Sequence, residues 1–509
     1  MGIARKGGTA VRSVLISLVL LGSVFACLTA MGRTDLTIVV PDEPPSLDPT
    51  ANASAAIDQI LNQNVYEGLV RVTPRGEIEP ALAERFEVSP DGKTYTFSLR
   101  KGVFFHDGTP FTASDVIATF ERNMIPEGMH PHPEYYAYIE WMETPDPYTI
   151  VFHMTETDGA FLSLLALGDS VILPEVYSAS LVTHPIGTGP FRFAGWVVGE
   201  SLRLERFSDY YREDCGLIDE VVFRFVSDSA TAYAALMSGD VDVLAKVPAE
   251  AAIGVADDPR FSTVAGPQNL VQIMAMNKER APFSDLRVRQ AIAHAVDRDA
   301  IIDGTMHGYG IALGSHMTPA SAYCVDLTDL YPYDLPEARR LLTDAGYPEG
   351  FSATLTLPQN YEIHVRTGEI LADQLARIGI DLRLEVVEWG QWLSRVYGQA
   401  DYDLTVIGHI GKLDPGAMLS NYGAGSESYY YRRGYRNVYL DAVLAEGRST
   451  VGDTRRAEIY AQAQEIIARD VVNLFIQDPY QIFVARQELQ GLETYPIYLI
   501  NVVQVFWAF

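Results

Sequence analysis

Cysteine is scarce: three in 509 residues. Cys27 lies in an apolar N-terminal stretch, and Cys215 and Cys324 are far apart in the chain, so no disulfide framework organises the fold. Each of these two reads as a small buried residue or half of one incidental bridge. Basic charge is also in deficit, with 38 Lys+Arg against 66 Asp+Glu and a net of −28. The adjacent basic pairs beyond the first residues (Arg339-Arg340, Arg432-Arg433, Arg455-Arg456) are scattered, which excludes nucleic acid and anionic lipid as main partners, because phosphate binding needs basic stripes. No long apolar run follows residue 32, so the body is expected to be soluble. No phosphate-cradling Gly-x-x-x-x-Gly-Lys, no Gly-x-Ser-x-Gly and no His-Glu-x-x-His occurs, and no catalytic constellation emerges. What remains is a chain 48% hydrophobic and 20% charged, suited to packed cores in roughly two to four domains.

The N-terminus has the layout of an export signal. Arg5, Lys6 and Arg12 precede an uncharged run from Ser13 to Gly32, and small residues (Ala26, Ala30, Gly32) follow its apolar centre. Three readings stand: cleavage after Gly32, a lipoprotein signal with Cys27 acylated in Val24-Phe25-Ala26-Cys27, or an uncleaved membrane anchor. All three put the body outside the cytoplasm.

Strand and helix patterns then alternate. Asp35–Val40 reads as an opening strand stopped by Pro41. Residues 85–111 read as a meander bounded by Asp91-Gly92 and Asp107-Gly108, and Thr112–Asp115 as a capping box opening a helix. Residues 126–147 read as a Pro-punctuated stretch, followed by a strand over Thr149–His153. After Pro185 strands are expected at 191–193, 202–206 and 221–225, then a helix ending at Gly239. One helix is expected over Asp285–Arg298. A strand–helix–strand unit runs from Ala353 to Val386, with Gly379 as the helix stop, and another strand over Tyr402–Val406. Such alternation argues an α/β architecture with crossover connections.

Candidate chemistry is sparse. Gly187-Thr-Gly-Pro190 runs into a strand and reads as a turn. His130, His132 and Glu134 carry ligand types suited to zinc or nickel, or are simply exposed in a Pro-rich loop. Tyr429–Tyr431 beside Arg432-Arg433, together with Trp389 and Trp392, line a ligand cleft or pack the surface and core.

An ordered series of segments carries more. PSLDP at 45–49, YEGL at 66–69, SPDGKTYTF at 89–97, HDGTPFTASDV at 106–116 and GTGPF at 187–191 lead into VRQAI at 288–292, ARRLLTDAGY at 338–347 and LARIGI at 375–380. In this order they resemble the bacterial extracellular solute-binding proteins of family 5, the dipeptide/oligopeptide/nickel-binding group that serves ATP-driven (ABC) importers, over essentially all of residues 35–509.

The resemblance implies a periplasmic-binding-protein-like α/β fold of the cluster C type: two lobes around a hinge plus an extra inserted domain. Its implied layout is a signal peptide at 1–32, a discontinuous first lobe from 33–66, 186–270 and 478–509, an inserted domain at 67–185, and a second lobe at 271–477. Implied ligand-facing residues are Ser46, Leu47, Asp48, Thr188, Gly189, Trp389, His409, Lys412, Asp414 and Tyr429. The sequence departs from peptide-binding members at one place. Those members carry an aspartate for the peptide's α-ammonium shortly before the acidic-Pro pair, where this chain has Gly411 and Lys412 ahead of Asp414-Pro415. Pro358-Gln359-Asn360 likewise lacks the arginine that holds a dipeptide's carboxylate. His409, Lys412 and Arg366 point instead to a ligand with an acidic or acceptor-rich end, although Lys412 also reads as a solvated loop lysine.

The expected function is a periplasmic, non-enzymatic receptor, monomeric and without cofactor or metal, that delivers a short or modified peptide to membrane permease subunits. The rivals are a receptor for an opine-like conjugate, an oligosaccharide or a metal complex, and an exported hydrolase on the same scaffold.

Overall fold

A computed structural model of the chain describes residues 32–213, 217–426 and 433–508. Cys27, Cys215 and Tyr429 lie outside the described residues. Three sheets dominate the α/β architecture.

The first sheet is built around Asp35–Val40, an apolar β-branched strand flanked in parallel by Glu220–Phe225 and Val243–Leu244. Burial on both faces explains its nearly continuous hydrophobic run. Ser201–Arg206 and Phe191–Val197 extend the sheet antiparallel on one side, and Gln481–Arg486 and Phe261–Gly266 on the other.

The second sheet has the order Gly310–Ala312, Asn473–Pro479, Leu270–Met276, Leu404–Ile410, Phe351–Pro358, Ile380–Val387. Its last two strands are parallel and joined by the helix Glu362–Ala376, the crossover that parallel pairing requires. Gly379 stops that helix region at φ 86°, a conformation glycine adopts without strain.

The third sheet, Ala83–Val88, Thr94–Leu99, Thr149–Met154 and Ile139–Asp146, carries the helix Ala113–Asn123. That helix opens with the expected capping box between Thr112 and Asp115.

The chain passes between the first and second sheets twice, at 266–270 and at 479–481. The two crossings are tied together. Asp478 accepts from the backbone N–H groups of Asn269 (3.2 Å) and Leu270 (3.1 Å), and Gln268 Nε2 donates to the Pro479 carbonyl at 2.7 Å.

Several local expectations need correction. Residues 85–111 hold only two strands, which pair with each other; the third comes from Thr149–Met154, beside Thr94–Leu99, because the stretch 100–112 closes on itself in turns. The Pro-punctuated stretch contains the strand Ile139–Asp146. It lies at the sheet edge, with a register shift beside Pro145, where a missing N–H costs no ladder bond. The single helix over Asp285–Arg298 is two, Leu286–Ala295 and Arg298–Met306. Val296 is extended, and Asp297 restarts the helix by accepting from Ala300 N. The strand expected from Tyr402 begins at Leu404 and runs to Ile410, and that expected at 191–193 reaches Val197.

Candidate functional site

A cavity of about 640 Å³ lies between the first and second sheets. Lys246, Glu250, Gln268 and Tyr498 line it from one side, and Tyr361, His364, Trp389 and His409 from the other.

Strand register explains the wall on the second side. Leu404–Ile410 pairs with Leu270–Met276, Val271 opposite His409 and Gln272 opposite Gly408. A Cβ at Gly408 would stand 2.6 Å from Leu270 Cδ2 and 3.1 Å from His364 Cε1, so glycine lets the His364 ring close over the strand. Beyond Ile380–Val387 the short helix Trp389–Trp392 stacks its two indoles at 5.1 Å and 7°. Trp392 is buried and donates to Thr405 Oγ1 at 3.0 Å, which anchors the stack, and Tyr361 meets Trp389 edge-on at 5.3 Å. The result is a rigid aromatic surface of the kind ligand sites use.

The imidazoles in this wall are neutral. Burial pushes His364 and the deeper His316 down to about 3, and burial with these two neighbours holds His409 well below the usual imidazole range. Gln272 Nε2 donates to His364 Nδ1 at 2.9 Å, which leaves the ring proton on Nε2. Fixed charge sits at the rim instead. Arg366 bridges Glu250 (2.5 Å), from a helix beside the first sheet, and Glu362 (2.7 Å) on its own helix, so one ion pair spans the two sides. Lys246 adopts φ 55° and lies over the Tyr498 ring at 4.7 Å, its ammonium pKa lowered by burial.

A second cavity of about 210 Å³ shares Ile410 and Tyr498 with the first and includes Asp58 and Lys412. A third, about 870 Å³, shares Lys412 and Asp414 with the second and reaches Tyr135, Asp158 and Arg456. Lys412 donates to the Tyr135 hydroxyl at 2.8 Å, which gives it a partner in the fold. Gly411 is locked to Asn269: its N–H donates to the Asn269 carbonyl at 2.5 Å, and Asn269 Nδ2 donates back to its carbonyl at 2.8 Å. A Cβ there would stand 2.5 Å from Asn269 Oδ1, so the backbone has no room for an aspartate in its present course.

The residues expected in the cleft from the sequence therefore divide. Trp389 and His409 line the 640 Å³ cavity between the first two sheets, and Lys412 and Asp414 line the adjoining cavities. Ser46, Leu47, Asp48, Thr188 and Gly189 line none of the three. Asp48 is spent on Thr50 N (2.9 Å), Thr50 Oγ1 (2.7 Å) and the Tyr177 hydroxyl (2.7 Å), and Leu47 is in the core. Thr188 donates to the buried Glu67 at 3.0 Å, and Gly189 packs on the Asn64–Val65 backbone, where a Cβ would lie 2.6 Å from the Asn64 carbonyl oxygen. These conserve the shape of the chain around Tyr66 and leave the cavity to others. Asp414 caps the helix Pro415–Leu419 and pairs with Arg456.

Tyr361, His364, Lys246, Tyr498 and Asp58 were not marked by any local pattern; pairing between distant strands delivers them. Among the described residues no His/Cys/Asp/Glu group is arranged to hold a metal. His130 has both ring nitrogens engaged, Nδ1 accepting from His132 N and Nε2 donating to the Asp169 carbonyl, each at 3.0 Å. Cys324 is a free thiol, pushed up to about 11 chiefly by burial.

Two sheets joined by paired crossings, with a solute-sized cavity between them and a third sheet appended, define a solute-binding protein. The model of "Bacterial extracellular solute-binding proteins, family 5 Middle" matches residues 77–430, and the chain belongs to this family, the substrate-binding components of ABC importers. The glutathione-binding protein GsiB of Salmonella paratyphi A is 29% identical over 464 residues, 88% of this chain and 90% of that one. Among solved structures, AgaA from A. tumefaciens R10 in complex with agropinic acid is 31% identical with a TM-score of 0.70, covering 91% of this chain and 96% of its own. DppA from Helicobacter pylori in complex with the peptide STSA is 26% identical with a TM-score of 0.71, covering 93% and 98%. These relatives are solute-binding proteins, and family 5 binding proteins are periplasmic. No helix among the described residues is long and apolar enough to cross a membrane.

Proposed function

We propose that this chain captures a short or modified peptide between its first and second sheets and hands it to the permease subunits of an importer powered by a separate ATPase. It acts as an exported, periplasmic monomer without catalytic activity, its residues 1–32 serving as signal, with acylation of Cys27 as the alternative fate of that segment. The observation that carries the reading is the 640 Å³ cavity drawn from both sheets, with the Tyr361–Trp389–Trp392 wall on one side. The lobes are then 33–66 with 186–270 and 478–509, and 271–477, with 67–185 inserted. The crossings at 266–270 and 479–481 supply the hinge, and closure is favoured by whatever contacts the ligand makes to both sides. Trp389, His409 and Lys412 are the ligand-facing residues in this reading, with Tyr361 and Lys246 beside them.

Glutathione is the first ligand to test, because the GsiB relatives are named for it. Native and denaturing mass spectra of protein exported from a bacterial host, followed by calorimetry with glutathione, dipeptides and tripeptides, decide the matter. A co-purified peptide or micromolar binding of one supports the reading. A bare native mass and no heat from any peptide would refute it. A second reading, capture of an opine-like conjugate, is favoured by the likeness to AgaA and by Gly411 and Lys412 replacing the expected ammonium-binding aspartate. Heat from agropinic acid alone would select it.

A further inference from the structure

The 210 Å³ cavity contains a carboxylate that the fold does not use. Asp58, in the first turn of the helix Ala55–Leu61, lies against Gly168 so closely that a Cβ there would stand 2.2 Å from its Oδ1. Asp58 is half-buried, and fully buried carboxylates of the fold have work: Asp48 accepts three hydrogen bonds, Asp414 caps a helix and pairs with Arg456, and Asp478 ties the crossings. Among the described residues no donor and no cation acts on Asp58. Loss of water and the charge of Asp169 both push its proton affinity upward, to about 8. Asp169, behind it, has a fully buried Oδ1 that accepts no hydrogen bond.

The charged groups around this pair are otherwise committed. Lys412 acts on Asp169 and donates to Tyr135. Arg456 is bound to Asp414, and His130 and His132 also act on Asp169 while held by backbone groups and by Glu134. Lys412 thus answers Asp169 and leaves Asp58 without a counter-charge, and much of the remaining wall is aliphatic, with Leu164, Leu167 and Ile497. A carboxylate left over in this way is neutralised by a proton or by a cation of the right size.

We propose that Asp58 is the seat of a cationic subsite that receives a primary ammonium group of the captured solute, doing from the first sheet's side what position 411 cannot do. This deepens the capture reading and rests on it, since the cavity adjoins the larger one at Ile410 and Tyr498. Binding is an exchange: the ammonium arrives, the Asp58 carboxyl releases its proton to solvent, and an ion pair replaces a neutral acid. Apparent affinity for the cation should therefore fall about tenfold per pH unit below the carboxyl's titration.

The test uses the full mature chain and Asp58→Asn, with methylammonium chloride as probe against sodium chloride at equal ionic strength. In thermal unfolding at pH 8.5, methylammonium should stabilise the wild type saturably. At pH 6.5 the midpoint concentration should rise at least tenfold, and Asp58→Asn should show neither effect. Equal responses in the two proteins, or none in either, overturn the subsite. Calorimetry with glutathione and N-acetylglutathione keeps the two failures apart. If Asp58→Asn binds glutathione within twofold of wild type and lacks a methylammonium difference, the subsite is lost and capture stands. If no peptide binds but the Asp58-dependent methylammonium effect is present, the peptide reading is lost and the subsite stands.

Discussion

Asp414→Ala removes two interactions whose worth can be worked separately. Its carboxylate accepts from Gly416 N (2.8 Å) and Ala417 N (3.2 Å) at the start of the helix Pro415–Leu419, and loss of such a cap costs about 1 kcal/mol. It also meets Arg456 at 2.7 Å, with the two side chains only 4% and 6% exposed. Solvent screens so little of this pair that the figure of under about 1 kcal/mol for surface pairs does not apply. Removing one partner of a buried pair costs about 3–5 kcal/mol, because the other charge stays behind. Arg456 would keep the Tyr323 hydroxyl (3.1 Å) and the faces of Tyr323 and Tyr460 (5.4 and 5.3 Å), which offset part of that loss. The two losses sum to about 4–6 kcal/mol before that offset, so the single variant should lose about 3–5 kcal/mol. Asp414→Ala with Arg456→Met should recover most of the ion-pair component, since no charge remains buried. Urea unfolding followed by circular dichroism measures both, at constant m-value. A single variant within about 1 kcal/mol of wild type would refute the reasoning. So would a double variant whose loss equals the sum of the two singles, because coupled neighbours must depart from additivity.

Trp389→Ala should weaken ligand binding at least about tenfold while circular dichroism and unfolding midpoint stay near wild type, since Trp389 is only partly buried and Trp392 carries the core contact; unchanged affinity removes Trp389 from the site. Gly411→Asp should not install dipeptide binding. With a Cβ 2.5 Å from Asn269 Oδ1 it should cost about 1–3 kcal/mol, and a dipeptide affinity gained at wild-type stability would contradict this. Acid stability should reflect the buried imidazoles. His316 and His364 have folded values of about 3, below the unfolded 6.5, so their contribution is complete above pH 6.5 and is lost as pH falls toward 3. Each adds about 1.4 kcal/mol per pH unit to the acid slope in that window. His364→Gln should reduce the slope of unfolding free energy between pH 6 and 4.5 by one proton, and an unchanged slope would show that His364 titrates normally.

Local signals in the chain specified much of the architecture. The β-branched run 35–40, the Thr112–Asp115 capping box and the strand–helix–strand unit closed by Gly379 each depend on residues within a few positions of one another, so periodicity and capping chemistry suffice to read them. The family's ordered segments extended that reading to a two-lobed receptor. Where local readings failed, at the Pro145 edge strand and the Asp297 helix restart, a neighbouring strand or a side-chain cap outweighed the local pattern. The site itself was legible only in part. Trp389 and His409, which line the 640 Å³ cavity, could be singled out, but whether a side chain faces a cavity or a core depends on partners supplied by remote segments. Thr188 and Asp48 turned inward because Glu67 and Tyr177 wait there. The rim pair Glu250–Arg366 joins residues 116 positions apart, and Asn269 holds Gly411 across 142. Asp58 loses water and gains a like-charged neighbour only where Gly168 and Asp169 pack against it. Sequence determined the elements and the class of protein, because those follow from short-range chemistry. Tertiary packing alone decided which charges are satisfied and which are left facing a cavity, because desolvation and pairing are properties of a neighbourhood that the linear chain does not contain.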